Sequence, residues 1–327
     1  MIVNFFFRKR LSQNNSIEEL FLGLIPFISK GCGVLISEVP NSGASPIVLI
    51  KNIWFARSKK SEINHITGDV HYLVLAFKRN SILTIHDVKS GLQGSFLKKF
   101  YIRLFWFWLP AILVKKITVI SKFTKNELER IIPFAKNKIN IIHNPVNSEF
   151  RQTPYQFNAE KPQILFIGTK QNKNLEKSFE AIKDLSCKAM IIGKLTEAQL
   201  KLLRTFRIDY ESKFNLTFEN IIESYKNCDL VCFASFYEGF GMPIIEAQAT
   251  GRPVITSDFG AMKEVSNDSA CLVNPNDVNS IREAILKICN DKAYRDQLVI
   301  DGLENVKRFQ SDYIAKQYLQ LYQEISD

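Results

Sequence analysis

The sequence predicts an α/β protein built from two parallel-sheet domains and a helical tail. Short runs rich in β-branched residues alternate with longer stretches of helical periodicity, which is the pattern of parallel strands joined by crossover helices. The chain has 327 residues, and a prior of roughly 150 residues per domain suggests two domains. The alternation is lost between 147 and 162, where two prolines and several polar residues indicate a linker. We therefore expect domains at 1–154 and 155–327.

The first domain is expected to contain six strands separated by helices. Its candidate strands are "IVNFFF", "VLIS", "EINHI", "ILTIHD", "ITVIS" and "INIIHN". Helical patterns lie between them at about 16–29, 95–115 and 122–133. The amino terminus has its apolar run before its basic residues, which is the reverse of a secretory signal, so we interpret it as the first strand.

The second domain repeats this arrangement and leads into a helical tail. Its candidate strands are "QILFIG", "KAMIIG", "DLVCFA" and "PVITS". Helices are expected at about 174–185, 196–204, 217–226 and 243–250. In the last helix, Ile314, Tyr318, Leu321 and Ile325 would share one apolar stripe.

Charge and cysteine content limit the partners and the compartment. Residues 1–155 contain 22 Lys and Arg against 9 Asp and Glu, whereas the remainder contains 21 against 24, so the net charge of +10 lies in the first half. A domain this basic favours an anionic partner such as a membrane face. The six cysteines form no C-x-x-C pair and have no histidine at ligand spacing, which indicates neither zinc nor a disulfide framework. A cytoplasmic location fits best.

The stretch "SFYEGFGMPIIEAQATGRPVITSD" predicts a ligand site at a strand-to-helix turn. The strand "DLVCFA" ends near Ser235, and Pro243 suits the first turn of the next helix. Glycines at 239 and 241 let backbone amides approach a phosphate, and the positive end of the helix favours it. Glu238 and Glu246 would then bind hydroxyls on either side of that phosphate. A nucleotide-sugar diphosphate satisfies both acids, although two surface glutamates beside an ordinary turn remain the alternative.

These motifs resemble family 4 of the retaining glycosyltransferases, also described as glycosyl transferases group 1. "EGFGMPIIEAQATGRPVITSD" is similar to the E-x7-E signature of that family, and "ILFIGTKQNKNLEKSFEAI" resembles the start of its donor domain. "ITVISKFTKNEL", "INIIHNPVN", "HITGDVHYL" and "ILTIHD" resemble its acceptor domain. The resemblance implies the GT-B fold: two Rossmann-like, doubly wound parallel-sheet domains facing a cleft, acceptor domain first and donor domain second, with a C-terminal helix returning to the first.

The resemblance also implies roles for individual residues on the donor side. Glu238 is similar to the glutamate that contacts the transferred sugar, Glu246 to the one that binds the ribose, and Lys173 to the lysine that neutralises the diphosphate. Thr169 departs from the family, where many relatives have an arginine, and Lys170 is a candidate for that second charge. The expected donor-binding set is Gly168, Thr169, Lys170, Lys173, Glu238, Gly239, Phe240, Gly241, Met242, Pro243 and Glu246.

The acceptor side is less sharply defined by the sequence. His86 ends the strand "ILTIHD" and resembles the active-site histidine of the family, so the expected catalytic residues are Glu238, His86 and Lys173. A structural histidine beside Asp87 is the alternative. Weaker acceptor-side candidates are Ser16, His65, Gly68, Asp69 and, at the same edge, His71. No general base or nucleophile is assigned, because the resemblance implies a front-face mechanism in which the leaving phosphate deprotonates the acceptor.

Two basic segments are candidates for contact with phosphate-bearing partners. Arg8, Lys9 and Arg10 follow the first strand and would steer an acceptor phosphate. The segment 98–116 joins an aromatic, apolar run to basic ends, but its uncharged part is too short to span a bilayer. It would either lie in the membrane interface, with Trp106 and Trp108 at headgroup depth, or form a buried crossover helix.

We therefore expect a cytoplasmic, membrane-peripheral enzyme. It would transfer a hexose, mannose or a similar sugar, from a UDP- or GDP-sugar to a lipid-linked glycan in bacterial surface polysaccharide assembly. The alternatives are another sugar-nucleotide enzyme, such as a non-hydrolysing epimerase, and a non-catalytic membrane adaptor derived from a transferase. No cofactor is expected, no D-x-D motif indicates a metal, and nucleic acid is not an expected partner. A dinucleotide oxidoreductase is excluded because no G-x-G-x-x-G follows a strand.

Overall fold

The protein is described by a computed structural model covering residues 1–10, 16–88 and 95–326, with the Ser16 side chain outside the described part. It consists of two compact units, one of Met1–Pro145 with Ser311–Asp327 and one of Val146–Gln310. Each unit has a six-stranded sheet in which all strands are parallel. The predicted α/β class is therefore confirmed.

The first unit has the strand order β2-β1-β3-β4-β5-β6. Its strands are β1 (Ile2–Phe7), β2 (Gly33–Glu38), β3 (Ile63–Ile66), β4 (Ser81–Ile85), β5 (Lys116–Val119) and β6 (Ile139–Ile141). Its helices are α1 (Ser16–Ile28), α2 (Pro46–Ser58), α3 (Val74–Phe77), α4 (Phe96–Ile102), α5 (Leu109–Leu113) and α6 (Lys122–Ile131), joined by the C-terminal helix Ser311–Ser326. Short 3₁₀ segments lie at His71–Leu73 and Pro133–Lys138, and a π-helical segment at Arg103–Trp108.

The strand β1 shows why this sheet is buried on both faces. Val3, Phe5 and Phe7 pack into a cluster that includes α1 and the C-terminal helix. Phe6 points to the other side and joins a second cluster. Successive side chains of a strand alternate between faces, so the unbroken run of buried side chains from Val3 to Phe7, apolar except for Asn4, is the pattern of a doubly covered parallel strand.

The second unit has the strand order β12-β11-β10-β7-β8-β9. Its strands are β7 (Gln163–Ile167), β8 (Lys188–Ile192), β9 (Asp209–Lys213), β10 (Leu230–Phe233), β11 (Val254–Ser257) and β12 (Cys271–Val273). Its helices are α7 (Leu175–Ile182), α8 (Glu197–Thr205), α9 (Phe218–Lys226), α10 (Met242–Ala249), α11 (Gly260–Ser266), α12 (Val278–Asn290) and α13 (Lys292–Asn305), which leaves Ser311–Ser326 as α14. Residues Gln171–Lys173 and Val306–Phe309 form 3₁₀ turns.

The compact units differ from the expected domain ranges at both ends of the second domain. Residues after Pro145 already belong to the second unit, because the Val146 amide donates to the Phe309 carbonyl at 2.8 Å and the Phe150 ring packs edge-on against Tyr225 at 5.3 Å. At the other end, α14 packs on α1 in the first unit through its buried apolar stripe. The expected return of a C-terminal helix to the first domain is thus confirmed, although the range 155–327 had included it.

The tryptophans of segment 98–116 pack inside the first unit. Trp106 is buried, and its indole N–H donates to the Asp69 carboxylate at 2.8 Å. The Trp108 indole donates to the Ile131 carbonyl at 3.1 Å. Both indole N–H groups therefore bond protein carbonyl or carboxylate oxygens. The burial of Trp106 contradicts its placement at headgroup depth, whereas Trp108 is partly buried. Within the described residues, no helix has the length and apolarity needed to span a membrane.

Candidate active site

The predicted donor residues lie where the strand order of the second sheet reverses. The strands β7 and β10 are neighbours in that sheet, and the chain leaves them toward opposite edges. The crevice beyond the carboxyl ends of such strands is the usual ligand site of open α/β sheets. Gly168 and Lys173 follow β7, and Glu238 and Gly241 follow β10, so the topology brings two separate sequence motifs to one place.

Gly168 allows the Lys173 side chain to cross the end of β7. Its φ of +84° is unfavourable for residues with a Cβ. A Cβ at this position would lie 2.9 Å from Cε of Lys173, which is too close. The neighbouring Thr169 hydroxyl donates to the Lys194 carbonyl at 2.7 Å and is thus engaged with the chain beyond β8. The Lys170 side chain is exposed.

Lys173 and Glu238 form an ion pair at the centre of the site. Nζ of Lys173 lies 2.7 Å from Oε1 of Glu238, and the two side chains are only 19% and 15% exposed. The ammonium also lies 4.7 Å from the centroid of the Phe233 ring, where a cation is attracted by the ring face. The predicted diphosphate lysine and sugar glutamate are therefore in direct contact.

Asn172 fixes this pair, and sequence reasoning missed it. Its Nδ2 donates to Oε1 of Glu238 at 3.1 Å and to the Tyr237 carbonyl at 3.0 Å. Its own carbonyl accepts the Phe236 amide at 2.8 Å. Asn172 thus ties the loop after β10 to the turn after β7. An asparagine in a turn usually bonds nearby backbone, so nothing in "GTKQNKN" marks it as a partner of a residue 66 positions away.

Gly241 precedes α10 with a φ of +115°. A Cβ there would lie 2.9 Å from Cδ1 of Ile244. No side chain caps this helix. Pro243 has no N–H, and the Ile244 amide donates to the Gly241 carbonyl at 3.0 Å, so the Met242 amide and the positive end of the helix remain to face an anion. Met242 is the first helical residue and Pro243, which is buried, is the second. The Phe240 side chain is buried and packs edge-on against Phe309, with 5.7 Å between the ring centroids, which anchors the turn to the core. Gly239 is partly exposed.

Glu246 lies on the next turn of α10 and is held by Tyr225 of α9. The Tyr225 hydroxyl donates to Oε2 of the carboxyl. Burial raises the pKa of Glu246 to about 7, opposed by that hydrogen bond and by the positive charge of Lys173. Burial and the nearby Glu246 raise the pKa of Tyr225 well above its usual range. Tyr225 was also missed from the sequence, because a buried tyrosine on an amphipathic helix resembles an ordinary core residue.

His86 follows β4 of the first sheet and is only partly buried. Its Nε2 lies 3.1 Å from the Thr67 carbonyl. A carbonyl only accepts, so Nε2 carries the proton and Nδ1 is the acceptor of the neutral ring. Burial lowers the pKa of His86 to about 4, assisted by His71 and Arg8 and opposed by the Thr67 hydrogen bond. The ring is therefore neutral near pH 7, with one basic nitrogen to offer.

His65 does not fit the acceptor-side role that was expected for it. It is fully buried, with its Nδ1 2.7 Å from the Tyr322 hydroxyl and its Nε2 2.7 Å from the Thr84 hydroxyl. Burial lowers its pKa to about 3. Both nitrogens are thus occupied inside the core, on the sheet face that α14 covers. His71 is also buried, with Nδ1 2.8 Å from the Trp106 carbonyl.

The other acceptor-side candidates lie near the ends of β1 and β3. Asp69 is exposed, and its carboxylate accepts the Trp106 indole. Gly68 is packed closely, since a Cβ there would lie 3.3 Å from the Arg8 amide nitrogen. Arg8 forms an ion pair with the fully buried Glu18 at 2.8 Å, so its charge is already balanced within the unit. Ser16 begins α1, but its side chain lies outside the described residues.

Arg10 is also paired, with Nε 3.4 Å from Oε2 of Glu38, whereas the Lys9 side chain is exposed. Three basic residues were expected to steer an acceptor phosphate. Among the described residues, Arg8 and Arg10 have carboxylate partners, whereas Lys9 has an exposed side chain and no ion pair.

Comparison with known proteins identifies the family. Residues 147–304 match the family described as "Glycosyl transferases group 1". The second compact unit of the chain therefore belongs to this glycosyltransferase family. The chain is 30% identical over 222 residues to the O-antigen chain mannosyltransferase RfbU of Salmonella typhimurium, covering 64% of this chain and 61% of the relative. It is 25% identical over 301 residues to the O-antigen chain mannosyltransferase B of Escherichia coli, covering 83% and 77%.

A third relative acts, by its name, on a lipid-linked substrate. The N,N'-diacetylbacillosaminyl-diphospho-undecaprenol alpha-1,3-N-acetylgalactosaminyltransferase of Campylobacter jejuni is 22% identical over 329 residues, covering 90% of this chain and 86% of the relative. Solved structures share the whole fold of the glycosyltransferase. A Rickettsia africae glycosyltransferase superposes with a TM-score of 0.76 at 18% identity over 99% and 98% of the chains. Anabaena Alr3699/HepE in complex with UDP gives 0.79 at 13% identity over 99% and 100%. The GT-B expectation is thus confirmed.

Proposed function

We propose that this glycosyltransferase moves a hexose, mannose or a similar sugar, from a UDP- or GDP-sugar to a lipid-linked glycan, with retention of anomeric configuration. The reaction would serve assembly of a bacterial surface polysaccharide at the cytoplasmic face of the membrane. Two relatives named as O-antigen chain mannosyltransferases support the sugar and the pathway class. A third, named for a diphospho-undecaprenol substrate, supports the lipid-linked acceptor.

The main support for the proposal is that protein donors bond one oxygen of Glu238, just before the start of α10, and one oxygen of Glu246, just after it. Oε1 of Glu238 accepts from Lys173 and Asn172. Oε2 of Glu246 accepts from Tyr225. In the part of the chain that the structure describes, no hydrogen bond is made to the second oxygen of either carboxyl group. Each carboxylate is therefore fixed by protein donors while keeping an acceptor for a ligand hydroxyl, as a sugar on one side and a ribose on the other require.

The diphosphate would bind between these carboxylates, at the uncapped start of α10. Its negative charge would lie near Glu238, and the Lys173 ammonium, 2.7 Å from that carboxylate, would offset the repulsion. When the glycosidic bond breaks, the leaving diphosphate gains negative charge, so a fixed ammonium stabilises the transition state more than the ground state. Lys173 supplies this charge from the protein, and we propose a reaction that needs no metal ion.

Retention would proceed on one face of the sugar. The leaving phosphate oxygen would accept the proton of the acceptor hydroxyl as the new bond forms, so no protein nucleophile is required. His86 is neutral near pH 7, and its Nδ1 would accept a hydrogen bond from a sugar hydroxyl. Its proposed role is orientation of the substrate.

A panel of nucleotide sugars screened by thermal shift tests the donor site. A specific donor at 100 times its Kd should stabilise the protein by about 2.7 kcal/mol. Glu238→Gln and Glu246→Gln should reduce this gain, whereas Glu283→Gln, on the exposed face of α12, should leave it unchanged. Two outcomes would contradict the proposal. Either a donor stabilises all three variants equally, or no donor in the panel stabilises any of the proteins.

Turnover with a lipid-linked acceptor separates the remaining possibilities. A transferase releases nucleoside diphosphate only with acceptor present, an epimerase interconverts the sugar without net release, and an adaptor does neither. Nuclear magnetic resonance of the product gives the anomeric configuration, and inversion would contradict the front-face route. Activity that disappears with a chelator and returns with a divalent cation would contradict metal independence.

A further inference from the structure

The helix α2 exposes large apolar side chains on the face that points away from the core. Its inner face is buried through Leu49, Asn52 and Ala56. Its outer face carries Ile47, Ile50 and Trp54, which are 66%, 57% and 72% exposed. Their spacing of three and four residues places them along one stripe. A helix of a water-exposed surface normally has polar residues there, so this face is unusual.

The short helix α4 adds a second exposed apolar group next to α2. Phe96, Leu97 and Phe100 are 81%, 78% and 50% exposed. The end of this helix adjoins the start of α2, because the Tyr101 hydroxyl donates to the Ala44 carbonyl at 2.9 Å. We call the exposed side chains of α2 and α4 together the apolar–basic patch. Single exposed apolar residues are common, but a group of this size marks an interaction surface.

Within the two segments that form the patch, the charges are all of one sign. Residues 44–61 and 95–116 contain no aspartate or glutamate. The basic residues of the patch have exposed side chains, and they are Lys51, Arg57, Lys98 and Lys99. Arg103, which directly follows α4, is exposed as well. Apolar rings that can enter a headgroup layer, surrounded by lysines and arginines, match an anionic lipid surface. Two copies of the patch facing each other would instead bring like charges together.

We propose that the apolar–basic patch seats the protein on an anionic lipid bilayer. The side chains of α2 and α4 would enter the headgroup region, and the basic residues would contact lipid phosphates. This inference deepens the proposed function, since a lipid-linked acceptor lies in such a surface. It replaces Trp106 and Trp108, which are engaged inside the unit, with Trp54 and the exposed residues of α4. The assignment rests on side-chain exposure and charge in the first unit and uses no residue of the donor site.

Co-sedimentation of the full chain with vesicles tests the surface directly. The protein should bind phosphatidylcholine vesicles containing phosphatidylglycerol, and bind pure phosphatidylcholine at least about tenfold more weakly, which corresponds to about 1.4 kcal/mol. The apolar variant Trp54→Ser with Phe96→Ser and the charge variant Lys98→Glu with Lys99→Glu should each lose at least about tenfold in binding. These positions are exposed, so thermal unfolding should stay close to that of the unaltered protein.

Matched controls come from the second unit. Ile300→Ser removes an apolar side chain that is 60% exposed, and Lys201→Glu with Arg204→Glu reverses two exposed charges on α8. Neither should change vesicle binding. Tryptophan emission should shift to shorter wavelength on anionic vesicles, and Trp54→Phe should remove this shift while vesicle binding persists.

Two results would overturn the proposal. One is the absence of binding to anionic vesicles, or binding that both patch variants retain. The other is concentration-dependent self-association that the patch variants abolish without any vesicle binding, which would make the surface a protein interface. Donor-induced thermal stabilisation is measured without vesicles, so failure of the patch and failure of the proposed reaction are distinguishable.

Discussion

Donor binding should weaken as the pH falls through about 7, because Glu246 then gains a proton. Burial raises the pKa of this carboxyl to about 7, and Tyr225 and Lys173 oppose that shift. An ionised carboxylate offers acceptors on both oxygens, whereas protonation converts one of them to a donor. With Tyr225 bonded to Oε2, the ionised form is the one suited to accept from ribose hydroxyls.

The magnitude follows from the titration. A group with a pKa of about 7 is roughly nine-tenths ionised one pH unit above that value and roughly one-tenth ionised one unit below. The affinity for a nucleotide sugar should therefore fall about tenfold between pH 8 and pH 6, or about 1.4 kcal/mol. Binding near pH 7 should release protons. Glu246→Gln should bind more weakly than the unaltered protein, and its affinity should not change over this range.

Tyr225→Phe tests the origin of this profile. The hydroxyl lowers the pKa of Glu246 by bonding its carboxylate, so its removal should raise that pKa further. A hydrogen bond to a charged group is worth about 1.5–3 kcal/mol, and one pKa unit is about 1.36 kcal/mol. The midpoint should therefore move up by about one to two pH units, with affinity recovered at higher pH. Tyr210→Phe, on the edge strand β9, is the control.

Isothermal titration calorimetry with an intact nucleotide sugar is the suitable measurement. A nucleoside diphosphate is avoided because a terminal phosphate itself titrates near pH 6. The folded-state pKa of Glu246 is raised, so its contribution to stability is present at low pH and lost as pH rises through about 7. Binding must therefore be compared with ligand-free protein at each pH. A flat profile for the unaltered protein, an unchanged profile in Glu246→Gln, or a midpoint that moves down in Tyr225→Phe would refute the reasoning.

Four further predictions concern charge and backbone. Lys173→Met should weaken donor binding by more than about tenfold, because the diphosphate then meets the Glu238 carboxylate without a cation, whereas exposed Lys170→Met should have a smaller effect; titration of the donor measures both. Gly241→Ala should lower the free energy of unfolding by about 1–2 kcal/mol because its φ is +115°. Gly23→Ala, in helix α1 with open space around it, should raise the free energy of unfolding by up to about 1 kcal/mol. Urea unfolding measures the effect of both glycine substitutions. Arg252→Met should cost at least about 3 kcal/mol in the same assay, since the buried guanidinium donates to the Cys228, Thr250 and Lys226 carbonyls.

Much of the fold was predictable because the strands are short, apolar and buried on both faces. The strand β1 occupies the predicted residues Ile2–Phe7. The strand β9 was missed because it is a charged, largely exposed edge strand of sequence "DYESK". The helix α2 was missed because apolar residues lie on both its faces, which hides the helical period. In both cases, the surroundings of the segment determine its structure more than its own pattern does.

That the predicted donor residues come together could be foreseen for those that follow a strand end. Glu238, Gly241 and Glu246 belong to one contiguous motif, and Lys173 follows another strand. Parallel strands meet at the same edge, so those positions follow from topology. Asn172 and Tyr225 were not predictable, because an asparagine in a turn usually bonds nearby backbone and a buried tyrosine on an amphipathic helix resembles an ordinary core residue.

His65 shows the opposite limit. It stands on β3, one residue before the strand ends at Ile66, and the sequence does not say which face α14 will cover. Side chains alternate between faces, so a shift of one position separates a core histidine bonded to Tyr322 from a side chain that faces a substrate.

The two glutamates of the site are held by different kinds of donor, and this difference has a consequence for the order of events. Glu238 is bonded by a cation and an amide, so a charge partner accompanies it before any ligand arrives. Glu246 is bonded by a neutral hydroxyl, and burial favours its protonated form. Below about pH 7, the empty site therefore carries one fixed carboxylate that is balanced by Lys173 and one neutral carboxyl. A dianionic diphosphate can approach this arrangement with less repulsion than two carboxylates would cause. Loss of the Glu246 proton would then follow when ribose hydroxyls are in place to bond the carboxylate.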